Sequence, residues 1–196
     1  TIGNPHEDFP TIHITGTNGK GSTATMVAEL LSALGLSVGL YGSPHVTSIT
    51  ERIQINGEPI TEEEFAENAE VLSMAEQHLD FSPSWFELVT AIAFRYFADA
   101  AVDVAVIEVG MLGRFDATNI GNPRVSVITN VDYDHTDGAK GWREKIAREK
   151  AGIIRQDGIL CLGEVDEDLE TIFTDENPKK IYRRDQDFSV LSNELA

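Results

Sequence analysis

Short apolar, β-branched runs alternate along the chain with longer segments whose apolar residues recur at helical spacing. The pattern predicts strands at residues 12–15, 37–41, 104–109, 125–129 and 159–162, with a short one at Ile181. It predicts helices over residues 22–34, 61–78, 84–98, 142–154 and 166–174. Strands that alternate with helices are typical of a parallel sheet joined by right-handed crossovers. We therefore predict an α/β fold, with a mostly parallel sheet and helices on both faces.

Turn and capping residues mark where several of these elements begin and end. The segment 52–60 contains an Asn-Gly pair at Asn56, the strongest short-range signal for a β-hairpin. Capping boxes beginning at Thr61 and Ser84 open two of the helices. Gly35 is expected to end the first helix in the position just past its last turn. That helix is predicted to be amphipathic, and the apolar residues that recur along it are Met26, Leu30, Ala33 and Leu34.

Composition and charge narrow the possible functions. The chain has 196 residues, of which 41% are hydrophobic and 24% charged, close to the average for one globular domain. The 15 basic and 33 acidic residues give a net charge of −18, which repels a nucleic-acid backbone. No apolar run approaches the roughly 18 residues of a membrane span. The chain start lacks a secretory signal, and the single cysteine, Cys161, favours a reducing compartment. We expect a cytoplasmic protein that binds neither nucleic acid nor membrane.

A glycine-rich turn between the first strand and the first helix carries the clearest chemical signal. It reads Thr15-Gly-Thr-Asn-Gly-Lys-Gly-Ser22. Glycines let successive backbone N–H groups face a phosphate, the helix N-terminus adds positive potential, and Lys20 can reach the terminal phosphates. The turn departs from the general P-loop pattern, because Ile14 replaces a glycine and Gly21 follows the lysine. It predicts a phosphate site; the alternative is a flexible turn with an exposed lysine.

Three oxygen- or nitrogen-bearing side chains lie just beyond predicted strands. Glu108 ends one strand, Ser43 follows another, and His135 comes after the strand that ends at Thr129. In open α/β sheets, ligands collect outside the carboxyl ends of the strands, so these side chains are expected to converge. A carboxylate and a hydroxyl suit Mg²⁺ bound to nucleotide phosphates. Each residue also has an ordinary structural interpretation, as a loop serine, a half-buried glutamate or a hydrogen-bonded histidine.

Two further segments are ambiguous when taken alone. Lys150 lies on a predicted helix and is most simply a surface lysine paired with a glutamate three or four residues away. The segment Ser84-Trp-Phe-Glu87 is most simply a capped helix start with core aromatic residues. A pocket for a flat ligand is the less common alternative for these aromatic rings.

Taken in order, these segments resemble the N-terminal ATPase domain of the folylpolyglutamate synthase and dihydrofolate synthase family, relatives of the Mur ligases. The matching stretches are residues 13–22, 43–45, 51–60, 86–94, 108–110, 113–119, 134–136 and 146–154. The resemblance implies a P-loop NTPase-like Mur ligase central domain with a small β-hairpin insertion. It implies an enzyme that uses ATP to phosphorylate a pteroate or folate carboxylate, so that glutamate can attack the acyl phosphate and form an amide. ATP, pteroate or folate, and glutamate are then the ligands, with Mg²⁺ expected at two sites.

The resemblance also implies roles for individual residues. The nucleotide-binding residues would be Gly16, Thr17, Asn18, Gly19, Lys20, Gly21 and Ser22. The metal ligands would be Ser43, Glu108 and His135. The catalytic residues would be Lys20, His135 and Lys150, the last as a carbamylated lysine. The residues near the pterin ring would be Arg52, Trp85 and Phe86.

Some features depart from the family pattern. Leu112 precedes Gly113-Arg114 where the family usually has two consecutive glycines, so this loop is expected to be stiffer or shaped for a different partner. Residues 137–145 differ from the usual family sequence but keep the spacing from His135 to Lys150. Residues 1–185 are predicted to form the ATP-binding domain, and residues 186–196 a tail or linker toward a C-terminal domain. Because the chain starts at Thr1, it is expected to be a processed or excised piece.

Three alternatives remain open at this stage. One is a Mur-type ligase that acts on a peptidoglycan precursor, although the 51–60 hairpin and the 86–94 helix favour folate. A second is a nucleotide-binding regulatory module without ligase activity, and a third is a non-catalytic interaction domain. The sequence does not indicate an oligomeric state.

Overall fold

A computed structural model describes residues 2–133, 138–164 and 166–189. Its strands are β1 (Thr11–Thr15), β2 (Val38–Tyr41), β3 (Ile53–Ile55), β4 (Glu58–Pro59), β5 (Val104–Glu108), β6 (Val125–Ile128), β7 (Ile159–Leu162) and β8 (Lys180–Arg183). Its helices are α1 (Lys20–Ala33), α2 (Glu62–Glu76), α3 (Trp85–Asp99), α4 (Trp142–Ala151) and α5 (Glu167–Thr174). Among these described residues, no helix is long and apolar enough to cross a bilayer.

The strands form one sheet in the order β4-β3-β2-β5-β1-β6-β7-β8. The run from β2 to β8 is parallel, whereas β3 and β4 form an antiparallel hairpin at one edge. The chain leaves β1 toward β2 and later crosses back past β1 to β6, which places a topological switch point at β1. The predicted α/β class and the hairpin insertion are confirmed. The carboxyl ends of the parallel strands β1, β2, β5 and β6 therefore share one edge of the sheet.

Helices cover both faces of the sheet, as predicted. On one face α1 packs against alternate residues of the central strands, including Ile14, Leu40 and Val106. On the other face, α2 and α3 cover a cluster that includes Phe94 and Phe97, and α4 and α5 cover a second cluster around β6 and β7. Because strand side chains alternate between faces, these contacts assign each strand residue to one layer.

The side of α1 that packs on the sheet differs from the apolar side predicted from its large residues. Met26, Leu30 and Leu34 are 58%, 67% and 78% exposed, whereas Ala24 and Ala28 are buried. Small side chains at positions i and i+4 let the helix axis approach the strands closely, and this fixes which stripe turns inward. The sequence contains two apolar stripes, and their spacing alone does not distinguish them.

The local signals at helix starts and turns are confirmed. Ser84 Oγ accepts from Glu87 N at 3.3 Å, and the Glu87 carboxylate accepts from Ser84 N at 2.7 Å. The same reciprocal pair opens α2 at Thr61. Asn56 has a φ of 53° and is followed by a glycine with a φ of 82°, as a two-residue hairpin turn requires. Helix α1 begins at Lys20, two positions earlier than predicted, which places the lysine in its first turn.

Candidate nucleotide and substrate site

The glycine-rich turn connects β1 to the N-terminus of α1 at the switch point of the sheet. Gly16 passes so close to the segment after β6 that an added Cβ would lie 1.7 Å from Thr129 Oγ1. Gly19 has a φ of 77° and is the N-cap of α1. The Thr23 N–H donates to Gly19 O at 2.9 Å, so the amides of residues 20–22 precede the first intrahelical bond. A first turn of this kind is suited to binding an anion.

The first half of the same turn forms hydrogen bonds with residues 129–132, the segment that follows β6. The backbone N–H groups of Thr17 and Asn18 donate to Asn130 Oδ1 at 3.1 and 2.9 Å. Thr129 Oγ1 donates to Asn18 O at 2.7 Å, and the Asp132 N–H donates to Thr17 Oγ1 at 3.0 Å. The predicted cradle thus divides into a part that anchors the loop and a part, from Gly19 to Ser22, that remains the predicted phosphate site. Sequence analysis missed Asn130, although its place just after a strand was the available signal.

Lys20 is folded back over this turn. Its Nζ donates to Gly16 O at 3.0 Å and to Thr17 O at 3.2 Å. These carbonyl bonds hold the ammonium group beside the same first-turn amides that are oriented to receive an anion. The turn therefore supplies a local cationic site on a chain whose net charge is −18.

Glu108 and Ser43 meet at the carboxyl ends of β5 and β2. The Ser43 N–H donates to Glu108 Oε2 at 2.8 Å, and Glu108 is buried. A Cβ added to Gly42 would lie 3.3 Å from this carboxylate, and one added to Gly21 would lie 3.5 Å from it. Because Gly21 directly follows Lys20, the carboxylate lies against the first turn of α1. The structure therefore brings together the predicted metal ligands Ser43 and Glu108 and the predicted phosphate site.

The groups around the Glu108 carboxylate do not fully offset the cost of burying its negative charge. Burial raises its pKa above the ordinary value, while the Ser43 N–H, Lys20 and Arg52 act in the opposite direction. A desolvated carboxylate next to a hydroxyl-bearing residue matches the hard oxygen donors that Mg²⁺ prefers, so these residues fit that ion. Within residues 2–133, 138–164 and 166–189, no cluster of three or more His, Cys, Asp or Glu side chains could hold a metal. A magnesium ion that shares its ligands with phosphates and water does not need such a cluster. His135, the third predicted ligand, lies outside the described residues.

The interpretation of Lys150 as a surface lysine is wrong. Its side chain is fully buried on α4, with 0% exposure. A Cβ added to Gly113 would lie 3.3 Å from Lys150 Cα and 2.9 Å from Glu149 O. The lysine thus lies directly behind the loop that follows β5. Sequence reasoning from charge pairs could not reveal this, because the loop that covers α4 is distant along the chain.

Arg52, Trp85 and Phe86 line a single cavity of about 680 Å³. Arg52 is buried, donates from Nε to His45 Nδ1 at 2.8 Å, and lies 4.9 Å from the centre of the Trp85 ring. Phe86 packs so closely on the chain after β5 that a Cβ on Gly110 would lie 2.4 Å from its Cζ. The cavity combines a cation with aromatic surface, which is suited to a flat anionic ligand.

The same cavity reaches Ser43, one of the predicted metal ligands. Ser43 is part of its wall, and its remaining walls come from the loop after β5 and from α4. Sequence reasoning did not select the residues Met111, Leu112, Phe115, Asp116 and Glu149, which also line the cavity. For the four residues of the loop after β5, the signal that was available is their position beyond a parallel strand. Glu149 lies on α4 and carried no such signal.

Leu112 adopts the backbone conformation of a glycine. Its φ is 58°, in the left-handed region, where a branched side chain costs about 1–2 kcal/mol. The Thr15 hydroxyl donates to Leu112 O at 2.5 Å, and the Arg114 N–H donates to Glu149 O at 2.8 Å. These bonds hold the loop in place, with Leu112 in a conformation that a glycine adopts without strain.

Comparison with known proteins identifies sequences related to this chain. Residues 14–185 match the Mur ligase middle domain family. A dihydrofolate synthase/folylpolyglutamate synthase of Mycobacterium tuberculosis is 40% identical over 215 residues, covering 100% of this chain and 44% of that protein. The chain therefore spans less than half the length of this curated relative.

Solved structures agree with the fold. Folylpolyglutamate synthase of Mycobacterium tuberculosis, complexed with ADP and AMPPCP, has a TM-score of 0.92 at 40% identity, covering 100% of this chain and 47% of that one. A bifunctional folylpolyglutamate synthase/dihydrofolate synthase with Mn, AMPPNP and L-glutamate bound has a TM-score of 0.86 at 36% identity, covering 96% of this chain and 46% of that one. The architecture and the match over residues 14–185 together show that this chain belongs to the Mur ligase middle domain family.

Proposed function

We propose that this chain is the ATP-binding part of a ligase that joins glutamate to a pteroate or folate carboxylate. The observation that carries the proposal is the continuity of two sites. The aromatic cavity reaches Ser43, whose N–H is bonded to Glu108 beside the phosphate-facing turn of α1. A carboxylate held in the cavity would therefore lie next to the γ-phosphate of a nucleotide on that turn. The names of the relatives supply the substrate class.

In the proposed reaction, the substrate carboxylate oxygen attacks the γ-phosphorus of ATP, and the bond from that phosphorus to the ADP oxygen breaks. The glutamate amine then attacks the acyl phosphate carbon, phosphate leaves, and the amine loses a proton. The residues of this chain act mainly by positioning and by offsetting charge. The amides of Gly19 to Ser22 and the Lys20 ammonium would bind the phosphates, and Arg52 would bind the substrate anion.

Ser43 and Glu108 would hold Mg²⁺ beside the phosphates, with His135 as a further predicted ligand. When bound, the ion offsets the negative charge that gathers on the transferring phosphoryl group. A divalent metal is supported by the relative crystallised with Mn and AMPPNP. The presence of two metal sites stays a prediction.

Lys150 is proposed to be carbamylated. The ammonium would first lose a proton, and the neutral amine nitrogen would then form a bond to the carbon of CO₂ and lose a second proton, so that a cation becomes a carbamate anion. Full burial on α4 supports this proposal, because desolvation disfavours the ammonium form and only the neutral amine can form a bond to CO₂. In the full-length enzyme, Lys150→Ala should lower activity, and small carboxylic acids in solution should partly restore it.

The complete reaction belongs to a protein longer than this chain. The chain spans less than half of the relative from Mycobacterium tuberculosis, so the glutamate site and the turnover are proposed for the whole protein. The division into an ATP-binding domain over residues 1–185 and a linker over residues 186–196 stays a prediction. A peptidoglycan-precursor ligase is the alternative within the same family, and the folate-related names of the relatives argue against it.

Direct binding to this chain tests the proposal. AMPPNP with Mg²⁺ is titrated in a calorimeter, and pteroate binding is then followed by quenching of Trp85 fluorescence. The only other tryptophan is Trp142, so a Trp142→Phe variant isolates the signal. Nucleotide binding together with quenching by pteroate supports the proposal. Nucleotide binding without any pteroate effect favours a regulatory module, and binding of neither ligand favours a non-catalytic interaction domain.

A further inference from the structure

A series of hydrogen-bonded side chains connects the central strand of the sheet to the wall of the substrate cavity. His13 lies in the middle of β1, between β5 and β6, and is 3% exposed. Its Nε2 lies 2.8 Å from Thr118 Oγ1, which is also buried. Thr118 in turn contacts Asp116, a residue that lines the cavity. Neither His13 nor Thr118 has a role in the proposed reaction.

The number of protons on each group sets the direction of the hydrogen bonds that link His13, Thr118 and Asp116. Asp116 Oδ1 accepts from Thr118 N at 3.0 Å and from Thr118 Oγ1 at 2.5 Å, and Asp116 Oδ2 accepts from Met111 N at 2.8 Å. A hydroxyl has a single proton, and an ionised carboxylate can only accept. Because Thr118 gives its proton to Asp116, its oxygen must accept a hydrogen bond from the Nε2–H of His13.

The surroundings of His13 keep the imidazole neutral. Burial, together with the positive charge of Arg155, lowers the pKa of His13 to about 3. A neutral ring carries one proton, and the hydrogen-bond chain locates that proton on Nε2. If the proton were on Nδ1 instead, the Thr118 hydroxyl would turn toward the ring. The oxygens of Thr118 and Asp116 would then face each other at 2.5 Å without a proton between them.

We propose that His13 and Thr118 are positioning residues that fix the Asp116 carboxylate on the wall of the substrate cavity. Three donors hold the two oxygens in one orientation, with acceptor capacity left toward the cavity. A carboxylate fixed in this way can accept from ring N–H groups of a flat heterocycle that lies between the aromatic side chains. The orientation of the Asp116 carboxylate thus depends on His13 in the core of the sheet as well as on the loop that carries Asp116. The ligand in this inference rests on the proposed function, whereas the proton assignment does not.

A matched pair of variants separates positioning from simple packing. Thr118→Val keeps the shape of the side chain but removes the hydroxyl, and Thr118→Ser keeps the hydroxyl but removes a methyl group. Pteroate binding is measured by Trp85 fluorescence in the 196-residue chain, and AMPPNP binding with Mg²⁺ by calorimetry. We expect Thr118→Val to weaken pteroate binding by about tenfold or more, and Thr118→Ser to stay within about threefold of the parent. Nucleotide affinity should be unchanged in both.

Several results would overturn the inference. Pteroate binding by Thr118→Val at the parent affinity would do so, and so would equal losses in the Val and Ser variants. A parallel loss of nucleotide affinity would indicate a general structural defect instead of positioning.

Nitrogen-15 NMR of the histidine rings tests the proton assignment without any ligand. We expect His13 in the parent chain to carry its proton on Nε2 at pH 7, and still to be neutral at pH 5. A proton on Nδ1 would refute the inference even if pteroate binds. If pteroate does not bind the parent under any condition while the Nε2 proton is observed, the proposed function fails and the assigned hydrogen-bond chain stands.

Discussion

The Glu108 carboxylate and the Ser43 N–H are joined by a hydrogen bond of 2.8 Å across the carboxyl ends of β5 and β2. This bond links Ser43, which lies two residues beyond the end of β2, to Glu108, the last residue of β5. Gly21 and Gly42 leave room for the carboxylate, which therefore lies against the first turn of α1. One buried acid thus connects the predicted metal site to the predicted phosphate site.

Replacement of Glu108 by Gln should weaken the binding of Mg²⁺ with nucleotide by at least about tenfold, because a neutral amide removes the anionic ligand. Metal-free nucleotide binding should change much less. Since burial raises the pKa of Glu108, metal affinity of the parent should also fall as the pH drops through that raised value, as protons compete with the ion. Calorimetric Mg²⁺ titrations with AMPPNP measure both effects. The control is Glu70→Gln, at an exposed position on α2, and identical titrations for Glu108→Gln and the parent would rule out the metal role.

Lys20→Ala should weaken nucleotide binding by at least about tenfold, or about 1.4 kcal/mol. The ammonium lies over the turn on Gly16 O and Thr17 O, so it is already close to where phosphates would be held. Lys140→Ala, at an exposed position, is the matched control for lost charge. Calorimetry with AMPPNP and Mg²⁺ gives the affinities. An unchanged affinity in Lys20→Ala would remove the phosphate assignment.

Asn130 should be required for nucleotide binding although it offers no charge. Its Oδ1 accepts from both Thr17 N and Asn18 N. In Asn130→Ala the Asn18 N–H loses this acceptor, whereas the Thr17 N–H keeps its bond to Asn130 O at 3.1 Å. We expect about a two- to tenfold loss of AMPPNP affinity, since one hydrogen bond contributes about 0.5–1.5 kcal/mol. Asn130→Asp keeps an acceptor oxygen but adds a negative charge, so its loss should shrink as salt is raised. Asn122→Ala, on an exposed loop, is the control. Parent-like binding by Asn130→Ala would contradict the anchoring role.

Gly110→Ala should damage the aromatic cavity and spare the nucleotide site. The added Cβ would lie 2.4 Å from Phe86 Cζ, so the ring must move, at a cost of about 1–3 kcal/mol. We expect weaker pteroate binding, measured by Trp85 fluorescence, with unchanged AMPPNP affinity. Gly121→Ala is the matched control, because the nearest atom to its Cβ is 3.9 Å away. Equal pteroate affinity in the two variants would show that Phe86 does not shape the ligand site.

The neutral, buried His13 should make stability depend on pH. Its pKa is about 3 in the folded chain, against an ordinary value of 6.5 when unfolded. The unfolded chain therefore binds the extra proton first, and the contribution of His13 is fully present above pH 6.5. Below pH 6.5 it is lost by up to about 1.4 kcal/mol per pH unit, until the folded ring also titrates. Urea unfolding of the parent and of His13→Gln between pH 7 and pH 5 measures the difference. Parallel stability curves for the two proteins would contradict this expectation.

Local patterns along the chain were enough to predict the α/β class, the 52–60 hairpin and the helix starts at Thr61 and Ser84. These features depend on neighbours within a few residues, such as the reciprocal bonds of Ser84 and Glu87. The sequence also predicted the glycine-rich turn and the position of Glu108 at a strand end. Each is a residue type at a strand boundary, and the topology of a parallel sheet brings strand ends together.

Only the tertiary structure decided which residues share a site and which faces are buried. Asn130 reaches Thr17 across more than a hundred residues, and His13 reaches Thr118 across 105. Spacing alone could not choose between the two apolar stripes of α1, and charge pairing suggested an exposed Lys150. Both outcomes are set by what packs against a helix from distant parts of the chain. Sequence patterns record local conformational preference, whereas burial and long-range hydrogen bonds exist only once the strands are in register.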